Sequence, residues 1–364
     1  MSSQFGLALH VSLFGQSHGT AVGAVIDGFP AGLLIDQGML SMEMNRRRPG
    51  SSALTTSRNE EDKVEFLSGV FRERTTGQPI CLIIRSKDMH SEDYGEILDC
   101  VRPSHADYTG HIRYYGFEDF RGGGSFSGRL TAPLVAAGEL CRQWLSLQGV
   151  RIESHILRIG NVWDTSLESV QENDDLSGLR TEQIPVIDKN VAALMKQEVA
   201  ECAGRGDSVG GMIEGRIVGL PAGLGAPFFD SVESELSHLF FSVPGVKGVS
   251  FGSGFSLSGM HGSEANDCFR YDGNRIVTVT NHSGGINGGV TNGMPVLYTC
   301  AIRPTPSIGK EQKTVSLRTG QETVFSIKGR HDPCIVIRAA AVMDAMTAIG
   351  ILDLWKERAA CVHS

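Results

Sequence analysis

The sequence predicts an α+β fold built on a duplicated strand–turn–helix unit, and three observations carry that prediction. Residues 19–32 (GTAVGAVIDGFPAG) recur in expanded form as residues 206–223 (GDSVGGMIEGRIVGLPAG), with four extra residues, Arg216 to Gly219. Each copy continues through an aspartate, Asp36 or Asp230, and a helical stretch to a Pro-Gly pair, Pro49-Gly50 or Pro244-Gly245. Strand-like alternation and helical apolar spacing both occur along the chain. Two halves, about 5–150 and 200–355, would face each other within a single domain spanning 1–364, and one site could draw on both.

The elements follow in order. Leu7, Leu9, Val11 and Leu13 alternate and predict a strand over 7–13; residues 21–27 predict a second. Gly15-Gln16-Ser17-His18-Gly19 between them is a turn. Asp36 predicts a helix cap, with the helix running to about Arg47 and stopping before Pro49-Gly50, since a residue ahead of proline avoids helical backbone. Cys81 to Ile84 predicts a short buried strand. Ala132, Val135, Ala136, Leu140, Trp144 and Leu147 recur at helical spacing and predict a helix over about 127–147. A last long helix is expected from near Arg338 to near Arg358, and the polar stretch 165–185 is expected to be a surface excursion.

Composition narrows the function classes. Apolar residues make up 41% and charged residues 20% of 364, the balance of a folded globular chain. No segment is long and apolar enough to span a bilayer, and the N-terminus lacks the basic flank of a signal peptide. Eight scattered cysteines without a CxxC pair argue against a zinc site and a disulfide framework, so a reducing cytoplasm is the expected location. A net charge of −8 argues against nucleic-acid or anionic-membrane partners. Arginines nevertheless cluster at 46–48, 102, 121, 129, 330 and 338, which points to a small anionic ligand.

Five motifs carry possible chemistry. His18, in its glycine-flanked turn, is either a structural turn residue or an acid placed to protonate a leaving group. Arg46-Arg47-Arg48 either complements a helix dipole or grips carboxylate and phosphate; neighbours on a helix point about 100° apart, so all three cannot face one ligand. Arg102-Pro-Ser-His-Ala-Asp107 and the run Arg121-Gly-Gly-Gly-Ser-Phe-Ser-Gly-Arg129, leading into a helix, suit an anion or a cofactor phosphate, although neither a Walker A loop nor a Rossmann fingerprint is present. Asn281 to Gly289, followed by Arg303-Pro304-Thr305-Pro306-Ser307, suits a flat ring and a phosphate, or a plain turn into a strand. Asp332, in Gly329-Arg-His-Asp-Pro-Cys334, is a helix cap or a carboxylate base.

Taken together, FGQSHG, DGFPAG, RRRPG, LSGVF, TTGQPI, RPSHADYT, DFRGGG, GLPAGLG, VKGV, HSGGINGG and GRHDPC resemble chorismate synthases in order and spacing, from about residue 5 to residue 355. The resemblance implies a single β-α-β sandwich with internal duplication, assembled as a homotetramer. It implies a trans-1,4-elimination of phosphate from 5-enolpyruvylshikimate 3-phosphate that needs reduced FMN but no net redox change. No reductase segment is apparent, so an external flavin reductant is expected. His18 would protonate the departing phosphate, His105 would stabilise or protonate the reduced flavin, and Asp332 would assist proton removal at flavin N5. Arg46, Arg47, Arg102, Arg129 and Arg330 would neutralise the substrate's carboxylates and phosphate. FMN would be lined by Ser125, Phe126, Ser127, Pro244, Gly245, Gly288, Arg303, Pro304, Thr305, Pro306 and Ser307, with Arg330 nearby.

The chain departs from the family pattern at Gln16 (usually Glu), Ala53 (usually Arg), Gly110 (usually Tyr), Arg303 (usually Lys), and Ser125, Phe126 and Leu130, which stand for an arginine, a serine and a glutamate. Each lost charged contact would cost roughly 1.5–3 kcal/mol of binding. Alternative outcomes are a diverged relative that binds FMN but acts on another allylic phosphate, and a catalytically weak relative kept for binding or assembly.

Overall fold

A computed structural model describes residues 3–50, 60–86, 100–172, 174–327 and 332–361. Its frame is two five-stranded antiparallel sheets. The first takes β1 (Gln4–Phe5), β2 (His10–Gly15), β3 (Ala21–Asp27), β4 (Val64–Ser68) and β5 (Ile80–Arg85) in the order β1-β2-β3-β5-β4. The second takes β6 (Arg151–Ile159), β7 (Val162–Trp163), β8 (Gly211–Val218), β9 (Val246–Phe251) and β10 (Val296–Ile302) in the order β9-β10-β8-β6-β7. The period-2 positions Val22, Ala24 and Ile26, and Ile80, Leu82 and Ile84, are all fully buried. Each buried aliphatic side chain of this kind contributes about 1.5–3 kcal/mol.

The helices Thr131–Leu147 and Val336–Cys361 fill the space between the sheets, and the other helices pack around them and the sheet edges. α1 (Gln37–Arg47) starts on its Asp36 cap, whose carboxylate accepts the Met39 N–H at 2.9 Å. α2 (Asp107–Tyr114), α3 (Thr131–Leu147), α4 (Lys189–Gly204), α5 (Val232–Ser242) and α6 (Val336–Cys361) follow. α3 and α6 pack directly on each other; α3 meets β3 and α6 meets β6 and β8, which makes the layers sheet, helix, sheet. α6 is apolar nearly all round from Val336 to Leu354, as a helix enclosed on every side must be. Both copies of the repeat form strand, turn and helix, and both strands, β3 and β8, sit at the centre of their sheets.

Two expectations need correction. The strand predicted over 7–13 begins at His10, because the N–H groups of Leu7, Ala8 and Leu9 are turned onto the Asp353 carboxylate at 2.7–3.2 Å. The stretch 165–185 is no free excursion. Part of it covers the second sheet, where Leu167 and Ile184 are buried and the buried Arg216 guanidinium donates to the carbonyls of Gln171 and Asp174 at 2.8 and 2.6 Å, while the buried Arg180 pairs with Glu43 of α1.

Candidate active site

A cleft of about 620 Å³ opens where the end of α1, the 17–18 turn, the 102–107 loop, the 122–131 segment, the 303–307 stretch and the start of α6 converge. Its volume lies in the usual range for small-molecule sites, roughly 300–1,000 Å³. His18, His105 and Asp332 line it, together with Arg47, Arg102 and Arg129.

The glycine triplet explains how the two imidazoles come together. Gly122, Gly123 and Gly124 all have left-handed φ, at 60°, 85° and 54°. A Cβ on Gly122 would fall 2.5 Å from His18 Cδ2 and 2.6 Å from Ser17 Oγ; one on Gly123 would fall 3.4 Å from His105 Cε1. The run is therefore a thin backbone partition with one histidine against each side, a place only glycine fits. It does not open the long helix as expected. Two short 3-10 turns, Arg121–Phe126 and Gly128–Leu130, intervene before Thr131.

His105 belongs to a charged cluster. Asp107 takes a bidentate hydrogen bond from Arg102, at 2.7 and 2.6 Å, and its Oδ1 lies 2.7 Å from His105 Nδ1. Burial alone would push the Asp107 carboxyl up, but the hydrogen bonds from Arg102 and His105 outweigh it and hold the group well below the usual carboxylate range. The ionised carboxylate, with Arg102 Nη2 3.0 Å from the same ring nitrogen, fixes the imidazole's orientation. Arg102 Nη1 also reaches Ser307 Oγ at 3.4 Å, and Arg303 Nη1 donates to the Ser104 carbonyl at 2.9 Å, so residues of both halves are tied across the cleft.

A second network lines the opposite wall. The buried Arg47 donates through Nη2 to Asp62 Oδ2 at 2.6 Å, and Arg129 donates through Nη1 to the other Asp62 oxygen. Burial presses the Arg47 guanidinium down to about 10, which still leaves it cationic at neutral pH. Arg338, in the first turn of α6, donates through Nε to the Arg47 carbonyl at 2.8 Å and through Nη1 to Asp332. The Nε–H groups of Arg47 and Arg129 are buried and find no acceptor among the described residues.

Of the expected cofactor-lining residues, Ser125, Phe126, Ser127, Pro244, Gly245 and the run Arg303 to Ser307 all line the cleft. Two expectations fail on placement within this chain. Arg46 points away, into a buried cluster with Glu43 and Asp344 at 2.7 and 2.9 Å, as the 100° step from Arg47 requires. Gly288 sits in the turn between the short strands Ile286–Asn287 and Val290–Thr291 and does not line the cleft. Arg330 and Ala53 lie outside the described residues. Sequence reasoning counted Arg338 among the clustered arginines without giving it a place in the site, and missed Ser17, Glu60 and Lys247 as lining residues, and Asp62 and Asp107 behind them. Lys247 and Arg338 were detectable as cations beside quoted motifs; nothing in local spacing marks Asp62.

Two departures from the family pattern turn out to be one. A Cβ on Gly110 would fall 2.8 Å from Phe126 Cε2, and the Phe126 ring also lies against Tyr114, with centroids 6.1 Å apart. The large side chain at 126 rests where position 110 has none.

The sequence model described as chorismate synthase matches residues 9–355. The chain is 42% identical over 356 residues to a chorismate synthase of Dehalococcoides mccartyi, covering 97% of this chain and 96% of the relative. It is 44% identical over 351 residues to that of Methanocella arvoryzae, covering 96% and 93%. A crystal structure of a chorismate synthase superposes with a TM-score of 0.76 at 25% identity, covering 97% of this chain and 93% of the other.

Proposed function

This chain belongs to the chorismate synthase family, and on that premise we propose that it eliminates phosphate and a proton from 5-enolpyruvylshikimate 3-phosphate to give chorismate, with reduced FMN bound beside the substrate. The observation that carries the reading is the convergence of His18 and His105 on one cleft walled by Arg47, Arg102 and Arg129.

The residues present fit both ligands. The unpaired buried Nε–H groups of Arg47 and Arg129 ask for an anionic acceptor, and Lys247 and Arg303 add cations on the second half's side. When bound, the reduced flavin supplies transient electron density to the substrate. Arg47 and Arg129 hold the substrate's anionic groups and, with Arg102, screen their mutual repulsion. His18, packed against Gly122, gives its proton to a phosphate oxygen as the C–O bond breaks. His105 keeps Nδ1 on Asp107, which leaves Nε2 as the nitrogen directed to a ligand. Asp332, oriented by Arg338, helps take up the proton lost by the substrate. Pro244, Gly245 and the 303–307 stretch form the flavin's bed. No helix among the described residues is long and apolar enough to cross a membrane. The same reading takes the enzyme to be a cytoplasmic homotetramer supplied with reduced flavin by an external reductant.

The test is an anaerobic incubation of the purified chain with reduced FMN and 5-enolpyruvylshikimate 3-phosphate. Equal yields of phosphate and chorismate are expected. Flavin binding without product would favour a different allylic phosphate as substrate, and failure to bind either ligand would favour an assembly role.

A further inference from the structure

We propose that Asp62 is the positioning residue that sets the angle and spacing of the Arg47 and Arg129 guanidinium groups toward the bound anion. The inference rests on the function proposed above and adds a residue to it. Asp62 does not line the cleft; it lies behind the wall and is 2% exposed. Its two oxygens are divided between the two arginines, Oδ2 to Arg47 and Oδ1 to Arg129. Both arginines do line the cleft. Burial works against the charge on Asp62, but Arg47 and Arg129 outweigh it and hold the carboxyl below its usual range, so it remains an anion.

Three features argue for positioning over plain stability. A buried ion pair is a poor stabiliser, because desolvation consumes most of its Coulombic gain. Asp62 has φ of 49°, in the left-handed region that few non-glycine residues adopt; such outliers cluster where a side chain must be aimed. The pairing engages one terminal nitrogen of each arginine and leaves each Nε–H buried without an acceptor among the described residues. The remaining Arg47 contacts, to Thr131 Oγ1 at 3.3 Å and the Gly128 carbonyl at 3.4 Å, are longer and cannot fix the guanidinium alone. Through the Arg47 carbonyl the same network continues to Arg338 and Asp332.

The test uses Asp62→Asn and Asp62→Glu in the full chain. Substrate binding without flavin is read by calorimetry, turnover by steady-state kinetics and folding by melting temperature. Asp62→Glu keeps the charge and moves it by about one methylene; a shift near 1 Å at a positioned group is expected to raise KM and the substrate Kd roughly tenfold, with kcat changed less than about threefold. Asp62→Asn is expected to weaken binding further, and if it fails to fold, Asp62→Glu carries the test. Wild-type KM and Kd in a folded Asp62→Glu enzyme would overturn the positioning role. An unaltered protein that binds no substrate would instead discard the function on which the role rests.

Discussion

Two histidines, five arginines and two carboxylates meet in the cleft from segments as far apart as residues 18 and 338. His18→Ala and His105→Ala are each expected to lower turnover by roughly 10²–10⁴-fold, the range for lost acid–base help, with melting temperature retained. Near-normal turnover in both would discard their roles. Gly110 and Phe126 make a different kind of prediction, because they share one space. Gly110→Ala should swing the Phe126 ring and weaken flavin binding by roughly three- to tenfold, while adding Phe126→Ser should recover most of the loss. Additive effects in flavin titrations would show that the two positions act separately. At this scale the sequence was most legible in placement: His18, His105 and Arg47, singled out by residue type, all line the cleft. It was least legible where a task depends on a partner distant in sequence: Asp62 and Arg129 lie 67 residues apart. Arg46 shows the converse error, since adjacency to Arg47 means a different face of the helix.

Helix α3 and helix α6 meet at Gly138, where a Cβ would fall 2.4 Å from Ala345 Cα. That contact sets how close the two central helices lie, and α6 carries Arg338 and Ala339 to the cleft. Gly138→Val should cost about 1–3 kcal/mol through overpacking, read as a lower denaturation midpoint; a midpoint equal to the unaltered chain's would mean the helices are not held at that distance. Element periodicity read well. The spans 21–27 and 37–47 match their predicted limits closely, because cap, proline and alternation are local signals. The strand start at His10 and the delayed start of α3 at Thr131 were hidden. The first is decided by Asp353 on the last helix and the second by the left-handed glycines that fit around His18 and His105.

Across the whole molecule, the second sheet is sealed by the 165–187 segment through a buried cluster. His155 lies 2.9 Å from both Asp164 and Glu214; Glu214 also accepts the Leu167 N–H at 2.7 Å and Asp164 the Ile187 N–H at 2.6 Å. Burial opposes the charged imidazole, but the two carboxylates outweigh it and raise its pKa above the ordinary value. A raised native pKa stabilises the fold fully below the unfolded value near pH 6.5 and loses that contribution as pH climbs through the native value. Melting temperature should therefore fall on the alkaline side, and less steeply in His155→Gln; parallel slopes would remove the cluster from the explanation. Asp62 and Asp107 act in the opposite direction. Their lowered pKa values stabilise the fold above about pH 4, and that contribution is lost as pH falls through the native values. The repeat visible in the sequence corresponds to the two central strands of the two sheets, β3 and β8; the similarity between copies is readable from sequence, but how the layers close on each other is not.

The central claim is that one cleft holds a multiply charged anion against a flavin, and electron density for a crystal of this chain grown with FMN and 5-enolpyruvylshikimate 3-phosphate tests it most directly. Substrate is expected between His18, Arg47 and Arg129, with the flavin ring against Pro244, Gly245 and the 303–307 stretch and within reach of His105. Well-ordered ligands seated elsewhere, with these side chains untouched, would contradict it.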